Sequence, residues 1–381
     1  MRELKVVDVS DPRALQEPLN EALFHGGPAV LPRPGGAKLT ATAPMEVQDD
    51  VTLVIETSGT TGAPKRVALS AAALLASVDA AHQELGGPGQ WLQLLPAHYI
   101  AGVQVITRSL VGGTTAVALH PEPFSTVAIT GVADQLLAQS APLYTSVVPA
   151  QLQRILDDAP GMPALDELMR RFSAILVGGQ SIPETLVTRS ADAGYRLIRT
   201  YGSSETAGGC VWNQRPFGDT RVRDIEGRLA ITGSVLATEY VGDPERTARS
   251  FVMDGGDRWY LTDDAGHLTD DGLVVVDGRL DDVIVSGGVK IALAAVEKTI
   301  QRELGVADAF VVGAHHAEWG HVPVVVTTQV VDLVRIRLAV QRALGAEARP
   351  DRVITVPAIP LLGSGKPDRL AMTALAEGVH A

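Results

Sequence analysis

The stretch Thr57-Ser-Gly-Thr-Thr-Gly-Ala-Pro-Lys65 holds four hydroxyl side chains and two glycines within six residues, with Pro64 and Lys65 just after them. Glycines let backbone N–H groups turn towards one point, hydroxyls add donors, and a lysine adds positive charge; together they suit a polyphosphate. A plain Gly/Thr hairpin needs only two residues that tolerate positive φ, so it does not account for this many donors. The loop is not of the G-x-x-x-x-G-K-[ST] type, because Pro64 precedes Lys65. A second Gly-Lys pair, Gly365-Lys366, fails the same pattern, with Pro360 where a glycine is required and Pro367 after the lysine. The kinase segment H-R-D-x-x-x-x-N is absent.

Regular elements must hold such a loop. The apolar run 51–55 reads as a buried strand before it and 66–69 as a strand after it. Ser70 is a candidate N-cap for a helix over 70–85 that Gly86-Gly87-Pro88 stops. Upstream, 12–23 reads as a helix and the Gly/Pro/Ala-rich 26–43 as loop. From 91 to 200, strands (91–95, 115–119, 144–148, 174–177, 196–200) alternate with helices (102–110, 126–138, 150–157, 183–193). That alternation predicts an α/β fold with parallel sheets, whose ligands lie beyond the C-terminal strand ends. Pro96-Ala-His98, Gly178-Gly179-Gln180 and Tyr201-Gly202 occupy such ends. Short strands over 221–277 predict a small barrel-like subdomain. The remainder predicts an α+β C-terminal domain, with strands at 283–285, 309–312 and 322–330 and helices at 292–304 and 333–344.

The composition narrows the partners. The 381 residues are 46% hydrophobic and 20% charged, which fits a globular chain with a sizeable core. A net charge of −12 argues against a nucleic-acid or anionic-membrane binder. Cys210 is the only cysteine, which rules out an intrachain disulfide and a multi-cysteine zinc site. It reads as a small packing residue. The N-terminus lacks an apolar signal core and no apolar run reaches membrane-spanning length, so the expected location is cytoplasmic, without stable membrane insertion.

Taken with four further segments, Thr57–Lys65 resembles the phosphate loop of the adenylate-forming superfamily of acyl- and aryl-CoA ligases, adenylation domains and luciferases. Tyr201-Gly-Ser-Ser-Glu205 resembles its Y-G-x-T-E segment. Trp259-Tyr-Leu-Thr-Asp-Asp264-Ala-Gly266 resembles W-Y-x-T-G-D-x-G, with Asp263 in place of the glycine. Gly278-Arg279-Leu-Asp281 with Gly287-Gly288 resembles the hinge segment, and Gly363-Ser-Gly-Lys366 with Arg369 the C-terminal lysine loop. The order is the family's and spans residues 57–369.

The resemblance implies ATP, Mg²⁺ and CoA, and a role for each matched residue. Thr57, Ser58, Gly59, Thr60, Thr61, Gly62 and Lys65 would hold the β- and γ-phosphates, with Ser204 adding a hydroxyl. Glu205 would bind Mg²⁺, a hard cation that takes carboxylate and phosphate oxygens. Gly179, Gln180 and Tyr201 would pack on adenine, Asp264 would accept from the ribose hydroxyls, and Arg279 would reach the ribose or the phosphate. Lys366 would be the catalytic cation at the α-phosphate, where two anions meet. Gly178, Gly202, Ser203, Gly208 and Gly209 would line the acid pocket. His98 lies in L-P-A-H-Y-I-A-G, which resembles L-P-x-x-H-x-x-G although Tyr99 takes the histidine's place; it is carried over as a catalytic and pocket residue. Asp281 would be the hinge between an N-terminal domain, 1–278, and a mobile C-terminal domain, 279–381. Gly287 and Gly288 would admit the thiol arm of CoA.

The early phosphate loop implies an N-terminal domain truncated at its start. In this the chain resembles the short o-succinylbenzoate–CoA ligases of menaquinone biosynthesis. An aromatic carboxylate is then the expected substrate, with Arg108, Arg154 and Arg215 as candidates for its second carboxylate and a homodimer as an expected assembly. Two other readings stay open: another acyl- or aryl-CoA ligase or carrier-loading enzyme, and a non-catalytic nucleotide-binding homologue.

Overall fold

The computed structural model describes residues 1–35, 46–57, 64–119, 123–362 and 367–378. By internal contacts it divides into two units. The first comprises Met1–Ile182, Leu186–Val222 and Ala230–Leu261; the second comprises Pro183–Thr185, Arg223–Leu229 and the chain from Thr262 on. No helix of the described residues is long and apolar enough to cross a membrane.

The first unit holds two α/β sheets. In the six-stranded sheet, Val51–Thr57 pairs parallel with Ala29–Arg33 and antiparallel with Lys65–Ser70. Ala29–Arg33 also pairs parallel with Arg2–Asp8. This corrects the expected loop over 26–43: all five residues of Ala29–Arg33 are buried in a strand. Pro28 and Pro32 hide it in the sequence. Its pairing to Val51–Thr57 ends at Val30↔Leu53, so Pro32 interrupts no hydrogen bond on that side.

The seven-stranded sheet has parallel strands Leu197–Ser203, Ala174–Val177, Leu143–Val147, Gln90–Gln93 and Val117–Ala118 in that order. Gly208–Trp212 adds antiparallel to Leu197–Ser203. Leu92, Ile129, Leu152, Leu168, Phe172 and Ile175 are among the buried side chains of one core cluster. The helix Ala71–Leu85 starts where Ser70 accepts from the Ala73 N–H and stops at Gly86, in the left-handed region. The single helix expected over 126–138 is two, Thr126–Thr130 and Ala133–Leu137, separated at Gly131 and Val132. Pro163–Arg171 is a further helix.

The five-stranded sheet over 221–279 has Asp257–Leu268 among its central strands. In the first unit this strand pairs antiparallel with Phe251–Asp254, and in the second with Val274–Arg279. The second unit continues with an α+β body. Val289–Ala292, Val283–Ser286, Gly320–Thr327 and Phe310–His316 form its sheet, with Arg352–Thr355 parallel to Gly320–Thr327. Helices Leu293–Leu304 and Leu333–Leu344 bury Val296, Ile300, Ile336 and Val340 in its core. The contact division falls before the boundary expected after Gly278, because Val274–Arg279 is tied to this body. Lys298 Nζ donates to the carbonyls of Val276 and Asp277 at 2.7 and 3.1 Å.

Candidate active site

Strand pairing sets Thr57 opposite Lys65, which fixes the two ends of the Gly/Thr loop. Ser58, Gly59, Thr60, Thr61 and Gly62 lie outside the described residues. Lys65 Nζ stands 3.2 Å from Glu205 Oε1, with the two side chains 18% and 4% exposed. The Tyr240 hydroxyl donates to the same oxygen at 2.9 Å. Burial pushes the Glu205 carboxyl up, but Lys65, a backbone N–H and Tyr240 outweigh it and hold the group below its ordinary value. Tyr240 carried no signal in the sequence; it reaches Glu205 because Tyr240 pairs with Val67 at the edge of the six-stranded sheet.

The shift has a sign that can be tested. The unfolded chain takes up this proton at higher pH than the folded protein does. The ion pair therefore contributes fully above the ordinary value of 4.5 and is lost as the pH falls through the lower folded value. In acid titrations followed by circular dichroism, the wild type should lose stability more steeply below pH 4.5 than Glu205→Gln does.

Glu205 sits in a tight turn. Leu197–Ser203 ends in a 3₁₀ turn, Ser204–Thr206, and Gly208–Trp212 returns beside it with a register shift at Tyr201/Gly202. A Cβ on Gly202 would lie 2.1 Å from the Gly208 carbonyl oxygen, so only glycine permits this approach. Ser204, Glu205 and Gly208 are buried, whereas Tyr201, Gly202, Ser203 and Gly209 are partly buried. Burial pushes the Cys210 thiol up to about 12, in keeping with a packing role.

Gly178, Gly179 and Gln180 follow Ala174–Val177, the parallel neighbour of Leu197–Ser203. They therefore lie at the same sheet end as Tyr201–Ser203. His98 follows Gln90–Gln93 and precedes the helix Ile100–Val111. Its ring is 4.1 Å from that of Tyr99, and burial holds its pKa below the ordinary value. The G of L-P-A-H-Y-I-A-G has a steric cause: a Cβ on Gly102 would lie 2.1 Å from the Pro96 carbonyl oxygen.

The three candidate arginines separate. Arg108, 4% exposed, sits near the C-terminus of its helix, 5.2 Å from the Trp91 ring. Arg215 follows Trp212, which pairs with Thr200 and so lies away from the Ser203 end. Arg154 is on the helix Pro149–Asp158, which leaves the C-terminal end of Leu143–Val147. It is 67% exposed and pairs with Asp158 at 2.8 Å. Gln151 ties the start of that helix to the His98 segment by donating to the Leu94 carbonyl at 3.2 Å.

In the second unit, Arg279 stands 3.8 Å from Asp264, opposite it in the strand pairing, and 3.6 Å from Asp263. Its closest carboxylate is Asp281, at 2.9 Å. Its pKa is raised, first by the Asp281 hydrogen bond. Asp264 is 21% exposed and Asp263 53%. Gly287 and Gly288 form the tip between Val283–Ser286 and Val289–Ala292. The Trp319 ring packs on Gly287 and remains 48% exposed, a neighbour that sequence reading missed. Lys366 lies outside the described residues. Arg369 is an anchor: it bonds Glu297 at 3.1 Å and the Val311 carbonyl at 2.9 Å.

Lys65 and Glu205, far apart in the sequence, thus stand face to face in the first unit. Residues 3–239 match the model of the AMP-binding enzyme family, and residues 295–366 that of the AMP-binding enzyme C-terminal domain. The chain belongs to the AMP-binding enzyme family. This AMP-binding enzyme is 38% identical over 341 residues, 86% of its length and 85% of the relative's, to a probable 2-succinylbenzoate–CoA ligase of Mycobacterium tuberculosis. It is 28% identical to the 2-succinylbenzoate–CoA ligase of Enterococcus faecalis, over 84% of this chain and 68% of that one. In fold it resembles the o-succinylbenzoate CoA synthetase of Bacillus subtilis in complex with its acyl-adenylate. The TM-score is 0.74 at 21% identity, over 97% of this chain and 87% of that one.

Proposed function

We propose that this AMP-binding enzyme is an acid–thiol ligase. It would convert o-succinylbenzoate, ATP and CoA into o-succinylbenzoyl-CoA, AMP and pyrophosphate, a step of menaquinone biosynthesis in the cytoplasm. The observation that carries the adenylating chemistry is the buried Glu205 carboxylate facing Lys65 at 3.2 Å. The names of the relatives support the choice of acid and acceptor. In the first step a carboxylate oxygen attacks the α-phosphorus and pyrophosphate leaves. In the second, the CoA thiolate attacks the acyl carbon and AMP leaves.

Lys65, with the hydroxyls and glycines of 57–62, is assigned to the β- and γ-phosphates, and Lys366 to the charge that builds at the α-phosphate. Asp264 and Arg279 are assigned to the ribose, and Gly179, Gln180 and Tyr201 to adenine. Gly178, Gly202, Ser203, Gly208, Gly209 and His98 are assigned to the acid pocket. Gly287 and Gly288 are assigned to the thiol arm, with Asp281 as hinge. Among the described residues no group of three or more His, Cys, Asp and Glu is arranged to hold a metal. A single ionised carboxylate such as Glu205, completed by ATP phosphates, is nonetheless how Mg²⁺ is commonly held. When bound, Mg²⁺ would draw charge from the phosphate oxygens. Lys65 would then turn from Glu205 to the phosphates.

ATP–pyrophosphate exchange across a panel of acids tests this function. Exchange with o-succinylbenzoate supports it. Exchange with fatty or amino acids but none with o-succinylbenzoate would overturn the substrate, and ATP binding without any acid-dependent exchange would overturn catalysis.

Of the three arginines, Arg154 is assigned to the ring carboxylate: its helix leaves the ligand end of the parallel sheet, and its side chain is exposed where Arg108, near the far end of its own helix, is buried. Arg154→Ala should raise the KM for o-succinylbenzoate about 10–100-fold, as expected for a lost charged hydrogen bond. The KM for 4-oxo-4-phenylbutanoate, which lacks the ring carboxylate, should stay unchanged. Equal effects on both acids would rule Arg154 out.

A further inference from the structure

We propose that Gln104 is a positioning residue of the adenylation site. Its side-chain amide, together with Ser77, holds the Ala207 carbonyl and so aims the Glu205 carboxylate at the metal–nucleotide complex. The inference rests on the adenylating role of Glu205 stated above.

The helix Ile100–Val111 gives the first argument. Its buried Thr107 and Ser109 return their hydroxyls to the helix itself, to the carbonyls of Val103 and Val105, both at 2.9 Å. Gln104, 1% exposed, reaches out instead: Nε2 donates to the Ala207 carbonyl at 2.5 Å. Its other amide atom, Oε1, is buried without a partner among the described residues. A leucine or methionine would fill similar space and leave no orphaned acceptor. What the amide adds here is its donor, and that donor has one target.

The target is the second argument. Ala207 sits at φ 50, in the left-handed region that a residue with a Cβ rarely adopts. Such a backbone persists where its surroundings hold it. The Ala207 carbonyl accepts from Gln104 and also from Ser77 Oγ at 3.2 Å, so two helices grip one oxygen. Two residues earlier, the Glu205 carbonyl accepts from the Ala237 N–H at 2.8 Å. Thr206 Oγ1 closes the same turn on the Gly208 carbonyl at 2.8 Å. The peptide that carries Glu205 is thereby clamped on both sides, and Gln104 supplies the side that faces the Ile100–Val111 helix.

Gln104→Met keeps the length of the side chain and deletes the donor. Calorimetric titration with ATP plus Mg²⁺, and with ATP in a chelator, separates positioning from packing. The affinity for the magnesium complex should fall about tenfold, the loss of one aimed hydrogen bond, while metal-free ATP binding stays within about twofold of wild type. Ser77→Ala should shift the same readout in the same direction by less. Their double variant should lose less than the sum, since both groups serve one oxygen. Equal losses with and without Mg²⁺, or no loss in either single variant, would overturn the proposal. Should Gln104→Met not fold, Ser77→Ala decides by the same criterion. The titrations need no turnover, so a wild type inactive with every acid would defeat the ligase reading and still leave this measurement decisive.

Discussion

Glu205→Gln should lower acid-dependent pyrophosphate exchange by about 10²–10³-fold, the range seen when one preorganised electrostatic contact to a transition state is removed. Glutamine keeps the shape and can still accept from the Tyr240 hydroxyl, so the turn over 203–208 should hold. What it loses is charge. Lys65 would no longer face an anion, and Mg²⁺ would lose the carboxylate assigned to it. The deficit should therefore fall on MgATP: its KM rises, excess Mg²⁺ recovers part of the rate, and the KM for the acid stays near wild type. A loss below about threefold would remove Glu205 from the chemistry. Because Lys65 and Tyr240 already hold the wild-type carboxyl below its ordinary value, the variant should show no compensating gain at neutral pH.

Lys366→Ala should divide the two half-reactions. Adenylate formation from ATP and acid should drop by about 10²–10³-fold, since the charge developing at the α-phosphate loses its cation. Thioester formation from supplied acyl-adenylate and CoA should stay within about threefold of wild type, because no second anion then approaches the phosphate. Rapid-quench measurement of each half-reaction checks this, and equal loss in both would contradict separate roles. The described residues on either side should keep their places. Leu361 and Pro367 form a bridge on either side of 363–366. Arg369, one of the first residues beyond, is fixed to Glu297 and Val311.

The residue types of the loop before Lys65 suggested a polyphosphate, and the order of the motifs, through the family they resemble, extended the candidate site to Glu205. The helix over 71–85 was equally legible, since Ser70 and Gly86 mark its ends by local geometry. The strand Ala29–Arg33 was not, because its evidence is its neighbours: three apolar residues between prolines become a strand only when Arg2–Asp8 lies beside them. Tyr240 and Gln104 escaped for the same reason. Each acts across a long sequence separation, on Glu205 and on Ala207, and neither belongs to a local pattern. Arg369, which the motif grouped with Lys366, works as an anchor, a distinction that only its contacts with Glu297 and Val311 make.

The indole packed on Gly287 gives the protein a built-in optical probe. Of the four tryptophans, Trp91, Trp212 and Trp259 are buried, at 0%, 6% and 6% exposure, while Trp319 is 48% exposed. Emission at long wavelength should then come mainly from Trp319, and a collisional quencher such as iodide should reach it first. Any molecule that settles against the Gly287–Gly288 tip would shield that ring. The thiol arm proposed for this tip can thus be tested by fluorescence in the unmodified chain, without a label and without waiting for product.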